Sequence, residues 1–189
     1  MKVTIHQPEH FPYMGFFQKM ESADLFVILD DVQYTKNNFQ NRNKFLNTNG
    51  VDEWFTIELE QHANSKLIKD VVVSSNPKWK QTILKKMQTN FKQDFSDIYS
   101  YEKLVDINIA SIEYCRIKLG ISTPMVRSSD LGISTTSSQR LADICKHFNA
   151  TEYISGAGGI SYLDESVFDC KVSYFQPNVT NYYTTLQHI

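Results

Sequence analysis

The chain has little cysteine and no long apolar run. Both absences limit the classes of protein to which it can belong. It has 189 residues and three cysteines, Cys115, Cys145 and Cys170, none of them in a CxxC pair. A disulfide framework or a zinc site is therefore not expected, and the thiols indicate a reducing compartment. No apolar run approaches the roughly 18 residues of a membrane span, and the chain begins with a β-rich run in place of a signal peptide. We therefore expect a cytoplasmic protein without a membrane span.

The chain also lacks an excess of charge of either sign. It has 19 basic and 21 acidic residues, which leave a formal net charge of -2 and a pI near 6.2. This balance lacks the excess of basic residues that is typical of proteins that bind duplex nucleic acid. With 41% hydrophobic and 13% aromatic residues, the chain can bury one sizeable core. We expect a single α/β domain over residues 1–189, with an inserted β-rich lobe at about 37–74.

Alternating apolar runs and helical patterns predict an α/β fold. Residues 3–5 and 25–29 are apolar runs typical of buried strands, and aromatic residues recur between them at helical spacing. Further strands are predicted at 124–127, 152–154 and 172–175, and helices at about 14–22, 76–91, 103–119 and 138–148. This order predicts a Rossmann-like, mainly parallel sheet with helices on both faces.

The segment 32–74 has a different pattern and predicts an inserted hairpin. It is rich in amides, and Asn49-Gly50 is a strong signal for a type I′ turn. The predicted arms are 42–46 and 54–59, and residues 69–74 predict a further strand.

Polar side chains follow the first two predicted strands. His6 comes directly after the first strand, and Asp30 and Asp31 come after the second. Because ligands of open α/β sheets bind at the carboxyl ends of the strands, we expect the strand ends near residues 5, 29 and 154 to converge, so that His6, Asp31 and Gly156 border one cleft. We predict that His6 is catalytic and that Asp30 or Asp31 orients it. The alternatives are a structural hydrogen bond for His6 and a turn or cap for the aspartates.

Two other segments are candidates for ligand binding. Three of the seven glycines lie at 156–159, where the backbone can approach a ligand or form a tight structural turn. Their spacing matches neither the dinucleotide nor the P-loop fingerprint. In the predicted lobe, Arg42 is suited to hold a phosphate or carboxylate, aided by the amides of Asn41 and Asn43, unless this cluster is a solvated loop.

Ordered motifs extend along nearly the whole chain. They are His6-Gln7-Pro8, Pro12-Tyr13-Met14-Gly15, the run 23–33 that ends in Asp30-Asp31-Val32-Gln33, Asn41-Arg42-Asn43, Tyr153-Ile154-Ser155-Gly156, Gly158-Gly159 and Tyr162-Leu163-Asp164. Together they resemble the WbqC-like family of bacterial proteins. The resemblance implies a role in the biosynthesis of O-antigen, lipopolysaccharide and other surface polysaccharides. It also implies substrate-binding residues at Gln7, Tyr13, Gln33, Asn41, Arg42, Asn43, Ser155, Gly156, Gly158, Gly159, Tyr162 and Asp164.

Three functions are compatible with these features. The leading hypothesis is a transferase that moves an acyl or aminoacyl group to a nucleotide-linked amino sugar, with His6 as general base and the glycine amides as oxyanion donors. Its ligands are then a sugar nucleotide and an activated acyl or aminoacyl donor, and its partners other glycan-biosynthesis enzymes or a second copy. The alternatives are a non-catalytic protein that binds a nucleotide or sugar nucleotide, and a nucleotidyltransferase, which needs Mg²⁺ and a basic triphosphate clamp. No metal ligands are predicted, and His10 is a poorer functional candidate than His6.

Overall fold

The computed structural model describes all of residues 1–189, which form seven strands and four α-helices. In chain order they are β1 (Lys2–His6), α1 (Met14–Glu21), β2 (Leu25–Ile28), β3 (Arg42–Leu46), β4 (Asp52–Thr56), α2 (Lys78–Phe91), α3 (Leu104–Lys118), β5 (Met125–Arg127), α4 (Ser137–His147), β6 (Glu152–Gly156) and β7 (Lys171–Phe175). Short 3₁₀ helices connect several of them. No helix combines the length and hydrophobicity that crossing a membrane requires.

The chain divides into two structural units. The first comprises Met1–Gln7, Gly15–Asp30 and Ile121–Val179, and the second comprises Pro8–Met14, Asp31–Gly120 and Thr180–Ile189. The predicted division, a single domain with an inserted lobe at about 37–74, stays a prediction.

Five parallel strands form the sheet of the first unit, in the order β5-β2-β1-β6-β7. In chain order, β2 and β5 are added on one side of β1, and β6 and β7 are then added on the other side. The strand order therefore reverses between β1 and β6. The fold is α/β and Rossmann-like, as the sequence predicts.

Helices cover both faces of this sheet. On one face, Val3, Ile5 and Val27 pack with Ile144 and Cys145 of α4 in a single apolar cluster. Side chains of neighbouring strand residues point to opposite faces. Phe26 accordingly lies on the other face, where its ring centroid is 5.1 Å from that of Phe16 in α1.

The second unit is built around an antiparallel hairpin and an aromatic core. β3 pairs with β4, and its Phe45 stacks on Phe55 with a centroid separation of 5.6 Å. Phe11, Phe95 and Tyr99 are also fully buried or nearly so. Helix α3 carries polar groups into this core as well, because the fully buried Asn108 side chain donates to two backbone carbonyls, at 2.8 and 3.1 Å.

The hairpin differs from its prediction at the turn and in the second arm. The first arm has the predicted bounds, but the second is Asp52–Thr56, and five residues join the arms in place of a two-residue turn. The Asn47 side chain explains the longer loop, since its Oδ1 accepts from the amides of Asn49 and Val51 at 3.0 Å each. The strand predicted at 69–74 is also wrong, because Ile68–Asp70 is a 3₁₀ helix and only isolated bridges follow it.

Candidate functional site

The parallel strands of the first unit place their carboxyl ends at one edge of the sheet. β1 ends at His6, β2 at Ile28 and β6 at Gly156, and β1 lies between the other two. The strands near residues 5, 29 and 154 therefore share an edge, as predicted, whereas the cleft bordered by His6, Asp31 and Gly156 stays a prediction. The reversal of strand order between β1 and β6 is the topological switch point, where sheets of this kind bind ligands.

The His6 ring is held in one orientation at this edge. Its Nδ1 lies 2.9 Å from the carbonyl oxygen of Gln7, and the ring meets Phe16 edge-on with centroids 5.0 Å apart. A carbonyl oxygen only accepts, so Nδ1 carries the proton and Nε2 keeps its lone pair. Nε2 makes no hydrogen bond within the chain and is available to a ligand.

The surroundings of His6 keep the ring uncharged. Desolvation lowers the pKa of His6 from 6.5 to about 3, the Lys19 ammonium lowers it as well, and the bond to the Gln7 carbonyl acts in the opposite direction. At neutral pH, His6 is therefore a hydrogen-bond acceptor at Nε2 and carries no positive charge.

A buried lysine that sequence reasoning missed lies beside His6. Lys19 in α1 is only 4% exposed, and its Nζ donates to the carbonyl of Ile5 at 3.0 Å. A Cβ atom on Gly156 would be 3.9 Å from the same Nζ. The ammonium group thus lies at the carboxyl ends of β1 and β6. The one available signal was its position three residues after Phe16, which places it on the buried side of the helix.

Asp30 follows β2 and is fully buried, but it binds Arg127, the last residue of β5, and the two serines after it. Its carboxylate accepts from Nε and Nη2 of Arg127, both at 2.7 Å, and from the hydroxyls of Ser128 at 3.2 Å and Ser129 at 2.9 Å. The Ser129 amide donates to it as well, at 3.0 Å. These partners take the place of the predicted contact with His6. A catalytic role for Asp30 stays a prediction.

The glycine segment forms the end of β6 and the 3₁₀ helix Ala157–Ser161, where a loop was predicted. Ser155 is only 2% exposed, and its hydroxyl donates to the Gly156 carbonyl at 3.2 Å. A Cβ atom on Gly159 would overlap this hydroxyl and lie 3.4 Å from the Tyr174 ring, whereas one on Gly158 would meet nothing within 4 Å. Close packing therefore requires glycine at 159 and leaves 158 open.

Tyr162 and Asp164 follow the same segment in different environments. Tyr162 is 72% exposed. Asp164 caps the 3₁₀ helix Glu165–Val167, and its bonds from the hydroxyl and amide of Ser166 lower the pKa of Asp164. Tyr162 is thus open to a ligand, while Asp164 has a structural bond. Substrate binding by either residue stays a prediction.

The amides of the hairpin are engaged by backbone groups of the second unit. Asn43 is fully buried, and its Nδ2 donates to the carbonyls of Phe11 at 2.8 Å and His10 at 3.3 Å. Asn41 donates to the Ile57 carbonyl at 3.0 Å. The premise that this cluster supports no core is therefore wrong for Asn43.

Arg42 lies between these two amides in sequence and has an aromatic partner. Its guanidinium carbon is 4.5 Å from the centre of the Trp54 ring, and its Nη2 donates to the Asn37 carbonyl at 2.8 Å. Its buried Nε makes no hydrogen bond. The contact between Arg42 and an anionic ligand stays a prediction.

Three further predicted residues, Tyr13, Asp31 and Gln33, also belong to the second unit. Burial raises the pKa of Tyr13 to about 12, with smaller contributions from Glu9 and Tyr182. Gln33 is exposed and donates to the Asn64 carbonyl at 2.8 Å, and Asp31 is half-buried. Their roles stay predictions.

His10 is part of the aromatic core of the second unit. It is fully buried, and its Nε2 lies 2.9 Å from the Tyr99 hydroxyl. Its ring meets that of Phe55 edge-on, with centroids 5.0 Å apart. Burial lowers the pKa of His10 to about 3. His10 therefore contributes to packing, and its loss would create a cavity.

The residues of the switch point are suited to an organic anion or a polar small molecule. They offer one buried ammonium, one imidazole acceptor and the backbone that follows β6. No group of three or more histidine, cysteine, aspartate or glutamate side chains is placed to hold a metal ion.

Comparison with known proteins identifies the family. Residues 7–188 match the WbqC-like protein family. The chain belongs to this family. It is also 29% identical over 181 residues to "Uncharacterized protein Rv1507c" of Mycobacterium tuberculosis, an alignment that covers 89% of this chain and 78% of that protein. No solved structure is significantly similar to the chain.

Proposed function

We propose that this WbqC-like protein is a transferase of bacterial surface-glycan (O-antigen) biosynthesis, which moves an acyl or aminoacyl group to a nucleotide-linked amino sugar. The family membership supports the pathway. The observation that carries the proposal is the pairing of an uncharged imidazole, His6, with a buried ammonium, Lys19, at the switch point of the sheet.

The two side chains have complementary tasks in this reaction. The amine nitrogen of the sugar attacks the acyl carbon, and the new C–N bond forms as the bond to the activating group breaks. The proton that the amine loses passes to the leaving group or to water. Lys19 stabilises the negative charge that develops on the acyl oxygen or is already present on the nucleotide phosphates. His6 accepts an N–H of the amine at Nε2 and so directs the nitrogen lone pair toward the acyl carbon.

The low pKa of His6 favours this orienting role over proton abstraction. A general base is most effective when its pKa lies near the working pH. His6, with a pKa near 3, takes up a proton poorly at neutral pH. In the proposed reaction His6 therefore acts as a hydrogen-bond acceptor, and its role as general base stays a prediction.

The same observation favours a second candidate, a non-catalytic protein that binds a sugar nucleotide for a partner enzyme. Binding needs an acceptor and a cation but no base, and His6 and Lys19 supply these two groups. The two candidates share a ligand and differ only in product formation.

Incubation with UDP- and dTDP-linked amino sugars and activated acyl or aminoacyl donors, followed by mass spectrometry, distinguishes them. We expect a product heavier than the sugar nucleotide by the acyl or aminoacyl group. His6→Ala should reduce turnover by roughly 10²-fold through misplacement of the amine. His147→Ala, at an exposed histidine of α4, is the matched control and should be fully active.

The other outcomes are equally informative. Saturable binding of a sugar nucleotide without product from any donor supports the binding protein. Release of pyrophosphate that depends on Mg²⁺ indicates a nucleotidyltransferase. Absence of binding by calorimetry for every sugar nucleotide contradicts both candidates.

A further inference from the structure

A cavity of about 360 Å³ lies within the second unit, beside the end of the hairpin. Its walls are Tyr34, Lys36, Asn37, Asn41 and the continuous segment 56–64. All of these residues belong to the second unit. The volume is within the range of small-molecule sites, about 300 to 1,000 Å³.

Two polar atoms of residues that line this cavity make no hydrogen bond within the chain, and one of them, Asn41 Oδ1, is buried. Tyr34 is only 3% exposed and lines the cavity, and its hydroxyl makes no hydrogen bond. Asn41 donates through Nδ2 to the Ile57 carbonyl, but its buried Oδ1 accepts from nothing. Buried polar atoms are nearly always hydrogen-bonded, so the unpaired Asn41 Oδ1 requires an explanation. A ligand that bonds both atoms supplies one.

Both atoms are held in place by their surroundings. Asn41 and Ile57 share a second bond, from the Ile57 amide to the Asn41 carbonyl at 2.8 Å. The Tyr34 amide donates to the Lys66 carbonyl at 3.0 Å, which fixes the backbone at Tyr34. The positions of donor and acceptor are thus determined before a ligand arrives, which reduces the entropic cost of binding.

The backbone of the cavity wall is strained at two positions. Asn37 and His62 line the cavity, and both have a φ of 63°, in the left-handed region that side chains other than glycine rarely adopt. Such strain persists where the surrounding structure imposes it, and it is concentrated at binding sites.

The lining indicates the chemistry of the ligand. It contains Lys36, Glu58 and Glu60, so both signs of charge are present and neither an anion nor a cation is favoured strongly. The remaining polar groups are mostly amides, Asn37, Asn41, Gln61 and Asn64, which donate and accept and therefore suit hydroxyl groups. Ile57, Leu59 and Ala63 add apolar surface for C–H groups.

We propose that this cavity binds a neutral, polyhydroxylated molecule of the size of one sugar ring, anchored by the Tyr34 hydroxyl and Asn41 Oδ1. The Tyr34 hydroxyl stays protonated at neutral pH, because burial raises the pKa of Tyr34 more than the nearby Arg42 guanidinium lowers it. It therefore donates to a ligand oxygen, while Asn41 Oδ1 accepts a ligand O–H. This site is independent of the proposed transferase reaction.

The test is an NMR titration of the ¹⁵N-labelled full chain with methyl α-D-glucopyranoside, methyl β-D-galactopyranoside and N-acetyl-D-glucosamine. We expect at least one sugar to shift the amide signals of 34–41 and 56–64 in a saturable manner. Tyr34→Phe should weaken binding by about three- to tenfold, the effect of one lost hydrogen bond. Its Tm should be unchanged, since the hydroxyl has no partner in the chain. Tyr101→Phe, at a 48% exposed tyrosine outside the cavity lining, is the matched control.

Three results would overturn the proposal. One is the absence of shifts at these residues with every sugar up to roughly 100 mM, a concentration that saturates even weak sites. Another is an equal Kd for Tyr34→Phe and the wild type. The third is tighter binding of inorganic phosphate than of any sugar at the same residues, which would assign the cavity to anions.

Discussion

At the scale of single residues, burial and a neighbouring charge together determine the pKa of His6. The Lys19 ammonium is the second cause, after desolvation, of the low pKa of His6. Lys19→Met preserves most of the apolar side chain and removes the charge. We expect the pKa of His6 to rise in this variant and to remain below 6.5, because desolvation persists. NMR titration of the His6 ring measures it, with Lys2→Met at the exposed end of β1 as the control. An unchanged pKa in Lys19→Met would show that the two groups are not coupled.

Asp30 has a different task, because its buried charge is compensated by Arg127 and two serines. Asp30→Asn removes a fully buried negative charge that accepts from Arg127 Nε and Nη2. We expect the free energy of unfolding to fall by about 2 kcal/mol, less than for a fully buried ion pair, because the Arg127 side chain is 33% exposed. Urea denaturation measures the loss. Asp24→Asn, at an exposed residue, should change stability by less than about 1 kcal/mol. A loss of that small size in Asp30→Asn would mean that the pair contributes little.

The sequence predicts His6 but not Lys19, for a physical reason. His6 follows an apolar run directly, so its place at the sheet edge depends on local pattern alone. Lys19 is buried because its Nζ reaches the Ile5 carbonyl, a contact that the helical pattern of α1 does not contain. Lysines are seldom buried, so sequence reasoning places such a residue on the surface.

At the scale of elements, the segment after β6 depends on a glycine for close packing. A Cβ atom on Gly159 would overlap the Ser155 hydroxyl, and one on Gly158 would meet nothing within 4 Å. We expect Gly159→Ala to displace the 3₁₀ helix Ala157–Ser161 and to lower the free energy of unfolding by about 1 to 3 kcal/mol. Gly158→Ala is the matched control and should be nearly neutral. Chemical denaturation of both variants measures the difference, and equal stabilities would contradict the packing argument.

The elements themselves are predictable where local pattern and tertiary environment agree. The inner strands β1 and β2 are apolar runs because both of their faces are covered, and all five strands of the parallel sheet lie within or next to their predicted ranges. The prediction of a two-residue hairpin turn is wrong because the Asn47 side chain accepts from two loop amides. The pair Asn49-Gly50 alone does not reveal those hydrogen bonds. The polar segment around Asn43 also predicts a solvated side chain, although Asn43 donates to carbonyls more than thirty positions away. Hydrogen bonds between residues that are distant in sequence cannot be predicted from a local sequence pattern.

At the scale of the whole molecule, two uncharged histidines make the stability sensitive to acid. The pKa values of His6 and His10 are lowered from 6.5 to about 3 in the folded state. Between these values the unfolded chain binds more protons than the folded one, so stability rises with pH. This contribution is fully present above about pH 6.5 and is lost as the pH falls toward 3.

We therefore expect the free energy of unfolding to fall between pH 6.5 and pH 5, with a limiting slope of about 1.4 kcal/mol per pH unit for the fully buried His10. Most carboxylates titrate below this window, so histidines dominate it. Urea denaturation at a series of pH values gives the slope. His10→Phe keeps an aromatic ring against Phe55 but removes the titrating group. The slope of its unfolding free energy against pH should therefore be smaller by the contribution of one proton, at most about 1.4 kcal/mol per pH unit. Its stability at pH 7 should also fall, because the Tyr99 hydroxyl loses its partner. Equal slopes in the variant and the wild type would show that His10 titrates with the same pKa in the folded and unfolded states, contrary to its burial.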